Sequence, residues 1–393
     1  MNILLYKGNF NYNVVNHFID DLAKYFSKKN HTVYICDLPI DINNDNDLLD
    51  LINFLSYVNI DFVFSFNGIN AIPIQIYENL NIIFGTVLVD NPFYHLLRLD
   101  SLKSKNTFVG LSDEGYLDIA KKYMYEYITT TQITHGGSIA ELKSSEKKYD
   151  VIVAGDLNEL IDFETYINSS LDKLSKEIAI DLYNHAIKNL QKPLYEYLED
   201  IINNFNFDDK LIKTKEFKEA VASIYKVVDL FIRKEMRYKG ILELLKNGVE
   251  INHFGNCNCN TFSEYSNFKN NGSIQYTQLL NIMNQSKIII HITSYFKNGS
   301  HERVLSAMLN NTLVIANENN YSFNMYKNNE SIVFYNPNKE NDLTDKVKYY
   351  LDNELQRNKI TKNAYEITSS FNTWENKANE ILEFYSSFKN NIL

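Results

Sequence analysis

Short runs of β-branched and other apolar residues alternate along the chain with longer segments in which apolar residues recur every three to four positions. The short runs are typical of buried parallel strands, and the longer segments of amphipathic helices that cover a sheet. Their alternation indicates an α/β fold with helices on both faces of a parallel sheet. In the first part of the chain the pattern predicts strands at Ile3–Tyr6, Thr32–Cys36, Phe62–Phe66, Ile82–Val89, Thr107–Leu111 and Tyr127–Thr130.

A segment rich in Gly, Ser and Lys, Thr134–Lys148, divides the chain into two halves. We therefore predict one Rossmann-like domain at residues 1–138, without the Gly-x-Gly-x-x-Gly fingerprint, and a second at 149–370. The second opens with a strand and a glycine turn at Asp150–Asp156. The helical pattern that follows is too long for one crossover and predicts a helical elaboration at about 160–246.

Two further buried strands, Ser286–Thr293 and Leu313–Ala316, enclose a predicted helix in the second half. Gly299 and Ser300 supply a flexible turn and a predicted N-cap for that helix. The helix then presents its free amides and the positive end of its dipole at the carboxyl end of a strand. In α/β sheets this is where nucleotide phosphates bind.

The sequence at this helix start, His301-Glu302-Arg303, resembles the donor-site signature of GT-B glycosyltransferases. It is most similar to the group-1 branch that includes the CgeB-like spore-maturation proteins. The strand and helix pattern of 331–351 and the Thr-Trp step at Thr373–Lys377 extend the resemblance over about residues 145–393. Residues 1–145 resemble the family by architecture only.

The resemblance implies a GT-B fold, in which two Rossmann-like parallel-sheet domains face a cleft. The first domain would bind the acceptor and the second the nucleotide sugar, while residues 371–393 would form a last helix that packs back on the first domain. It also implies an enzyme that moves a sugar from a nucleotide diphosphate sugar, with a UDP-sugar expected, to a hydroxyl of a protein, polysaccharide or lipid-linked glycan. No other cofactor is implied.

The resemblance assigns donor-binding roles around the helix start, Gly299–Arg303. Arg303 and the helix amides would hold the diphosphate, and Glu302 a sugar or ribose hydroxyl. Ordinary first-turn residues would also suit the helix dipole. One departure concerns the second glutamate of the wider retaining group, because Asn310 stands eight positions after Glu302 and the small-residue face of the helix carries Ser306. Stereochemistry therefore stays open, as do a nucleotide-sugar 2-epimerase and a non-catalytic binding or scaffold protein of the same fold.

Four more residues are candidates for the donor side. Gly155 and Gly255 each follow a strand, at turns that face the nucleotide in the family that the sequence resembles. The alternative is that both are only turns in the chain. Arg233 and Arg237 lie four apart on one helix face and resemble a basic pair of the CgeB-like group. The alternative for this pair is salt bridging to Glu235 or neighbouring acids.

Other candidates lie near the first domain or the connection between domains. His135 and Gly136 could contact donor or acceptor, since glycine lets the backbone approach a ligand, or could simply form a turn. Asp90 or His95 could be the base for an acceptor hydroxyl in an inverting reaction, or could belong to an Asx-turn loop. After another strand, Asn67-Gly68 is a further candidate for the acceptor side.

Composition limits the remaining function classes. A net charge of −10 without a basic stripe argues against nucleic acid as a partner. No apolar run approaches the roughly 20 residues of a membrane span, and three cysteines imply no disulfide framework, so we expect a cytoplasmic protein. His253, Cys257 and Cys259 lack a second ligand pair for zinc. We therefore expect no metal, with the diphosphate charge met by arginine and the helix dipole.

Overall fold

A computed structural model describes residues 1–38, 45–123, 128–144, 146–168, 171–190, 192–292, 299–318 and 325–392. The chain forms two compact units. Unit 1 comprises Met1–Gly136 with Asn372–Leu393, and unit 2 comprises Gly137–Phe371. Two residues at the ends of predicted strands, Tyr127 and Thr293, lie outside the described residues.

The described part of unit 1 contains one sheet of six parallel strands in the order β2-β1-β3-β4-β5-β6. The order in which the chain adds strands switches from one side of β1 to the other, so that β1 and β3 flank the point of reversal. The strands are β1 Asn2–Lys7, β2 Thr32–Asp37, β3 Phe62–Phe66, β4 Ile83–Leu88, β5 Thr107–Leu111 and β6 Thr129–Gln132.

The helices of unit 1 alternate with its strands along the chain, and every residue of β3, β4 and β5 is buried. Those three strands are the nearly continuous apolar runs expected where helices cover both faces. The helices before the second unit are α1 Val14–Lys28, α2 Asp45–Val58, α3 Ile74–Asn79, α4 Leu96–Asp100 and α5 Gly115–Tyr123.

Unit 2 contains a second parallel sheet of six strands within its described residues, in the order β11-β9-β7-β12-β13-β14, and a short parallel pair, β8 and β10. The strand order reverses between β7 and β12. The strands are β7 Tyr149–Ala154, β8 Leu157–Asn158, β9 Ile251–Phe254, β10 Cys257–Asn258, β11 Phe268–Asn270, β12 Ser286–His291, β13 Leu313–Asn317 and β14 Val333–Tyr335.

A helical segment occupies the crossover between β8 and β9, where the sequence predicts a helical elaboration. Its longest helix, α10, has 32 residues and returns the chain to the sheet. The helices of unit 2 are α6 Phe163–Ile167, α7 Lys173–Ala186, α8 Leu194–Asn204, α9 Asp209–Ile212, α10 Lys215–Lys246, α11 Asn260–Ser263, α12 Tyr276–Asn284, α13 Glu302–Leu309, α14 Asp342–Asp352 and α15 Glu354–Phe371.

The last helix, α16 at Trp374–Ile392, belongs to unit 1. The Trp374 ring lies 4.5 Å from the Phe18 ring and 5.6 Å from the Phe66 ring between centroids. Further along the helix, Tyr385 lies 4.8 Å from Phe62. These aromatic contacts fix α16 on the core of unit 1. Among the helices of the described ranges, none has the length and apolarity needed to cross a membrane.

Candidate functional site

The turn after β7 brings two arginines to the backbone of Gly155. This glycine has a φ of +113°, where other L-residues are strained. A Cβ at Gly155 would lie 3.7 Å from Nη1 of Arg237 and 3.7 Å from Nη2 of Arg303. Two predicted donor-site residues from distant parts of the sequence therefore meet at a third.

Gly255, after β9, packs against the backbone of the Gly155 turn. Its φ is +154°, and a Cβ there would lie 2.5 Å from the carbonyl oxygen of Gly155. The same oxygen accepts a hydrogen bond from Nε2 of His253 at 2.7 Å, and Nδ1 of His253 lies 3.3 Å from Oδ1 of Asn270. Close backbone packing therefore accounts for glycine at 255, and both nitrogens of His253 have partners within the protein.

Arg237 projects from α10 to the end of β12. Its Nε donates to the carbonyl oxygen of Ile292 at 3.2 Å, and it forms no ion pair with a carboxylate of the described residues. Burial, together with the charges of Arg303 and Arg233, lowers the pKa of Arg237 to about 10, with Asp156 and Asp229 acting in the opposite direction. The guanidinium remains protonated at neutral pH and offers its terminal nitrogens to an anion.

Arg233, one helical turn earlier, has a partner. Its Nη2 lies 2.8 Å from Oδ2 of Asp229, which is 1% exposed. Glu235 instead pairs with Lys239 and accepts from the Tyr183 hydroxyl. Arg233 is therefore salt-bridged to a neighbouring acid, which was the alternative to ligand binding. Arg237 is the member of the pair that reaches Gly155.

The N-terminus of α13 lies at the same end of the sheet. The N-cap is His301, and its Nδ1 accepts from the Arg303 amide at 3.2 Å. The prediction of Ser300 as the cap was wrong, because the imidazole nitrogen takes the capping role that a serine hydroxyl commonly fills. Gly299 and Ser300 are buried just before the cap. Arg303 forms no ion pair within the described ranges, and its Nε has no hydrogen-bond partner there.

Nδ1 of His301 also contacts Oε2 of Glu302, a carboxylate that is 6% exposed. One nitrogen therefore faces an amide that can only donate and a carboxylate that, when ionised, can only accept. Nδ1 accepts from the amide when it is unprotonated and donates to Glu302 when it is protonated.

His291, the last residue of β12, completes the cluster and was not identified as a site residue from the sequence. It is 3% exposed, and its ring lies 4.9 Å from that of His301 between centroids. Neither of its ring nitrogens has a hydrogen-bond partner in the part of the chain that the structure describes. Burial and the positive groups His301, Arg303 and Arg237 lower the pKa of His291 well below its usual range, so the ring is neutral at pH 7.

Next to Arg237 lies a small cavity of about 260 Å³. It is lined by Asp156, Leu157, Asn158, Leu230, Arg233, Lys234, Arg237, Tyr238 and Phe262. Its lining combines basic, acidic, apolar and aromatic side chains, and includes both Arg233 and Arg237.

Asn310 stands where the wider retaining group has its second glutamate, and Ser306 lies on the small-residue face of the same helix. Both side chains form hydrogen bonds within unit 2. Oγ of Ser306 accepts from the Ser138 amide at 3.0 Å and lies 2.8 Å from the Tyr276 hydroxyl. Asn310 accepts from the Ala140 amide and donates to the Ser138 carbonyl. Both residues therefore fasten the start of unit 2 to α13.

Unit 1 has a larger cavity, of about 750 Å³, at the carboxyl ends of β1 and β3. Within the described ranges Arg98 is the one charged residue that lines it, and most other side chains are aliphatic or carboxamides. The lining is Gly8, Asn9, Leu38, Gly68, Ile69, Asn70, Ala71, Ile72, Pro73, Ile74, Gln75, Arg98 and Ser101.

The predicted acceptor residues Asn67 and Gly68 form the turn beneath Arg98. Nη1 of Arg98 donates to the Asn67 carbonyl at 2.8 Å, and Oδ1 of Asn67 accepts from the Val89 amide at 2.9 Å. Gly68 has a φ of +67°, and a Cβ there would lie 2.9 Å from Leu102. The sequence did not indicate Arg98, whose position over this turn follows only from the fold.

Asp90 and His95 meet away from the lining of this cavity. Nε2 of His95 lies 3.8 Å from Oδ2 of Asp90. Asn91 caps the short 3-10 turn Pro92–Tyr94 between them by accepting from the Phe93 amide. The loop therefore has the predicted Asx-type capping and also pairs a histidine with a carboxylate.

Packing accounts for the glycine at position 136. A Cβ at Gly136 would lie 2.8 Å from the backbone nitrogen and from the ring of Trp374. His135 directly precedes it. A ligand contact by this pair stays a prediction. No group of three or more His, Cys, Asp or Glu side chains suited to a metal ion occurs among the described residues.

Residues 233–383 match a family profile described as glycosyl transferase-like. The match covers less than half of the chain, and it includes both Arg237 and Arg303. No curated protein is significantly similar in sequence.

Solved structures are similar over nearly the whole chain. Sucrose-phosphate synthase from Thermosynechococcus elongatus has a TM-score of 0.59 at 9% identity, and the match covers 98% of each chain. Anabaena HepE in complex with UDP and glucose has a TM-score of 0.52 at 12% identity, over 98% of this chain and 100% of that one. An alpha-glucosyltransferase in complex with UDP-glucose and DNA containing an abasic site has a TM-score of 0.54 at 9% identity, over 98% and 99%. The predicted α/β fold class of GT-B type, with two Rossmann-like parallel-sheet domains, is confirmed.

Proposed function

We propose that this protein is a glycosyltransferase that moves a sugar from a nucleotide diphosphate sugar to a hydroxyl acceptor. The observation that carries the proposal is the meeting of Arg237, Arg303 and the α13 N-terminus at Gly155. They meet beside the reversal of strand order between β7 and β12, where open α/β sheets bind their ligands. The glycosyl transferase-like profile and the structural similarity to HepE bound to UDP support the same function.

The charge balance of the cluster favours a diphosphate. Asp229 neutralises Arg233, whereas neither Arg237 nor Arg303 has a carboxylate partner in the described ranges. Two phosphates of a nucleotide sugar carry two negative charges, which the two guanidiniums and the helix dipole can balance. Guanidinium forks also match the oxygens of a phosphate in pairs.

Such a site would promote transfer mainly by stabilising the departing nucleoside diphosphate, whose charge grows as the sugar bond breaks. In this proposal the arginines and the helix amides meet that charge without a metal ion. Glu302 would contact a sugar or ribose hydroxyl, although one of its oxygens already faces His301.

We assign the acceptor to unit 1. Its cavity is the larger of the two described above, and it is mostly uncharged, which suits a hydroxylated acceptor better than a diphosphate. The His95–Asp90 pair, whose nearest charged atoms lie 3.8 Å apart, stays the predicted base for an acceptor hydroxyl, although neither residue lines this cavity. The proposed product is a glycan, glycosylated protein or glycolipid.

Product analysis tests this function. The protein is incubated with UDP-glucose, GDP-mannose and dTDP-glucose, first without acceptor, and the products are followed by NMR. Slow release of free sugar and nucleoside diphosphate that is lost in Arg303→Ala is expected for a transferase. Conversion of the sugar to its 2-epimer without acceptor would indicate an epimerase, and no binding of any donor would indicate a scaffold.

A further inference from the structure

The histidine pair at the α13 N-terminus adds a protonation step to the proposed donor site. His291 and His301 lie 4.9 Å apart between ring centroids. The inference rests on the proposed function, since it concerns how the same site receives a diphosphate.

The described surroundings of His291 offer its ring nitrogens no hydrogen-bond partner. The residue is buried at the end of β12. The groups that face it are cationic or can become so: His301 before α13, Arg303 in α13 and Arg237 in α10. A buried polar group without partners is costly, and an incoming phosphate oxygen could supply one.

His301 has two partners for one nitrogen. Its Nδ1 lies 3.2 Å from the Arg303 amide and also contacts Oε2 of Glu302. In the unprotonated state it occupies the amide, which is one of the free donors that a helix N-terminus offers to an anion. In the protonated state it pairs with Glu302 and leaves that amide available.

We propose that binding of the donor diphosphate takes up a proton at the His291–His301 pair, and that His301 then changes its partner from the Arg303 amide to Glu302. The proton comes from solvent and resides on an imidazole. Protonation adds one positive charge beside the diphosphate and frees one backbone donor for it. Both changes strengthen anion binding.

The surrounding charges set the direction of the pH dependence. Without a ligand, burial, His301, Arg303 and Arg237 disfavour a positive charge on His291, whereas the Glu302 carboxylate favours one on His301. The charge of Arg233 lowers the pKa of Arg237, as that of Arg303 does, whereas Asp156 and Asp229 raise it. An anion between these groups makes protonation easier, so donor affinity should rise as the pH falls from about 8 to about 6.

Isothermal titration calorimetry at several pH values, in buffers of different ionisation enthalpy, measures the protons taken up on binding. UDP-glucose, GDP-mannose and dTDP-glucose serve as probes, because their diester phosphates do not titrate near neutrality. For wild type we expect net uptake approaching one proton, with affinity rising up to about tenfold per pH unit. His301→Gln and His291→Asn should each reduce the uptake, and their combination should abolish it.

His185→Gln is the matched control, because His185 also has its Nδ1 near a carboxylate, at 3.1 Å from Asp181, on an exposed part of α7. It should leave the uptake unchanged. Donor binding with no proton uptake in wild type, or with uptake unchanged in both site variants, would overturn the inference while the donor site stands. If no probe binds to wild type, the donor site fails and this inference fails with it.

A second measurement needs no buried substitution. NMR titration of the histidine ring signals in wild-type protein should show one of the two rings titrating at higher pH when the donor is bound. Unchanged titration of both rings on donor binding would contradict the proposal.

Discussion

The two units have the same type of sheet but different chemistry at its carboxyl edge. In unit 1 the strand order reverses between β1 and β3, and in unit 2 between β7 and β12. A cavity or cluster lies beside each reversal. In unit 2 it gathers Arg237 and Arg303 with two histidines, whereas in unit 1 it is a mostly uncharged cavity with Arg98 at its lining.

This difference separates what the architecture determines from what the loops determine. The topology of a parallel sheet places a crevice at the reversal in both units. The side chains that follow the strands then decide which ligand the crevice suits. We therefore propose that unit 2 binds the charged nucleotide diphosphate sugar and unit 1 the largely uncharged acceptor.

The strongest test of that division is Arg303→Ala. Removing a guanidinium that would stabilise the departing diphosphate should lower turnover about 10²–10³-fold, by analogy with the loss of one donor to a developing negative charge. Circular dichroism and the melting temperature should change little, because Arg303 has no ion-pair partner in the described ranges. Turnover is measured from release of nucleoside diphosphate.

Lys215→Ala is the matched control for that variant, since it removes a cation from the exposed start of α10, where Lys215 pairs with Glu219. It should leave turnover unchanged. Equal turnover in wild type and Arg303→Ala would contradict the proposal that unit 2 stabilises the departing diphosphate.

Gly155→Ala tests whether close approach to the backbone matters. A residue other than glycine at a φ of +113° is strained, which should lower the free energy of unfolding by about 1–3 kcal/mol. The added methyl also lies between the arginines, so we expect donor affinity to fall about tenfold, or about 1.4 kcal/mol. Chemical denaturation and donor titration measure the two effects.

Gly248→Ala provides the comparison, because Gly248 has a φ of +77° and no described atom lies within 4 Å of an added Cβ. It should lower stability in the same way and leave donor affinity unchanged. If both variants bind donor like wild type, the Gly155 turn does not contact the donor.

Arg98→Ala tests the other side of the comparison. It removes the charge from the lining of the unit 1 cavity and one hydrogen bond to the Asn67 carbonyl. We expect the KM for acceptor to rise about tenfold, as for the loss of one hydrogen bond to a charged group, while donor affinity stays constant. Loss of donor binding with unchanged acceptor KM would reverse the assignment of the two units.

The smallest expected effect concerns stability against pH. The folded-state pKa of His291 lies below its unfolded value of about 6.5, so the unfolded chain binds more protons in acid. The stability of wild type should therefore fall below about pH 6.5, by at most about 1.4 kcal/mol per pH unit from this residue. His291→Asn should remove that part of the slope in urea denaturation series, and an unchanged slope would contradict the neutral, buried state of His291.

The sequence predicts much of the cluster that we propose as the donor site, because strand ends and helix starts mark it locally. Gly155, Arg237 and Arg303 were all candidates, and they meet. The N-cap was misplaced because serine is the usual cap, whereas here an imidazole accepts the amide hydrogen bond. His291 was missed because it ends an apolar run, which the pattern explains as a strand without reference to chemistry.

The unit 1 cavity was less predictable for a different reason. Its lining joins the loop after β3 to Arg98, about thirty positions later, and no local pattern connects them. Gly136 shows the opposite limitation: glycine suggested contact with a ligand, but packing against Trp374 is sufficient to require it. Local patterns thus locate the strands well, while contacts between distant loops depend on the fold.

The most direct test of the account is donor binding by ligand-observed NMR, with a panel of uridine, guanosine, thymidine and cytidine diphosphate sugars. Wild type, Arg303→Ala and Arg98→Ala are compared on the same panel. The account predicts that one class of donor binds to wild type and to Arg98→Ala and is lost in Arg303→Ala. Binding that survives in Arg303→Ala, or that disappears only in Arg98→Ala, would contradict it.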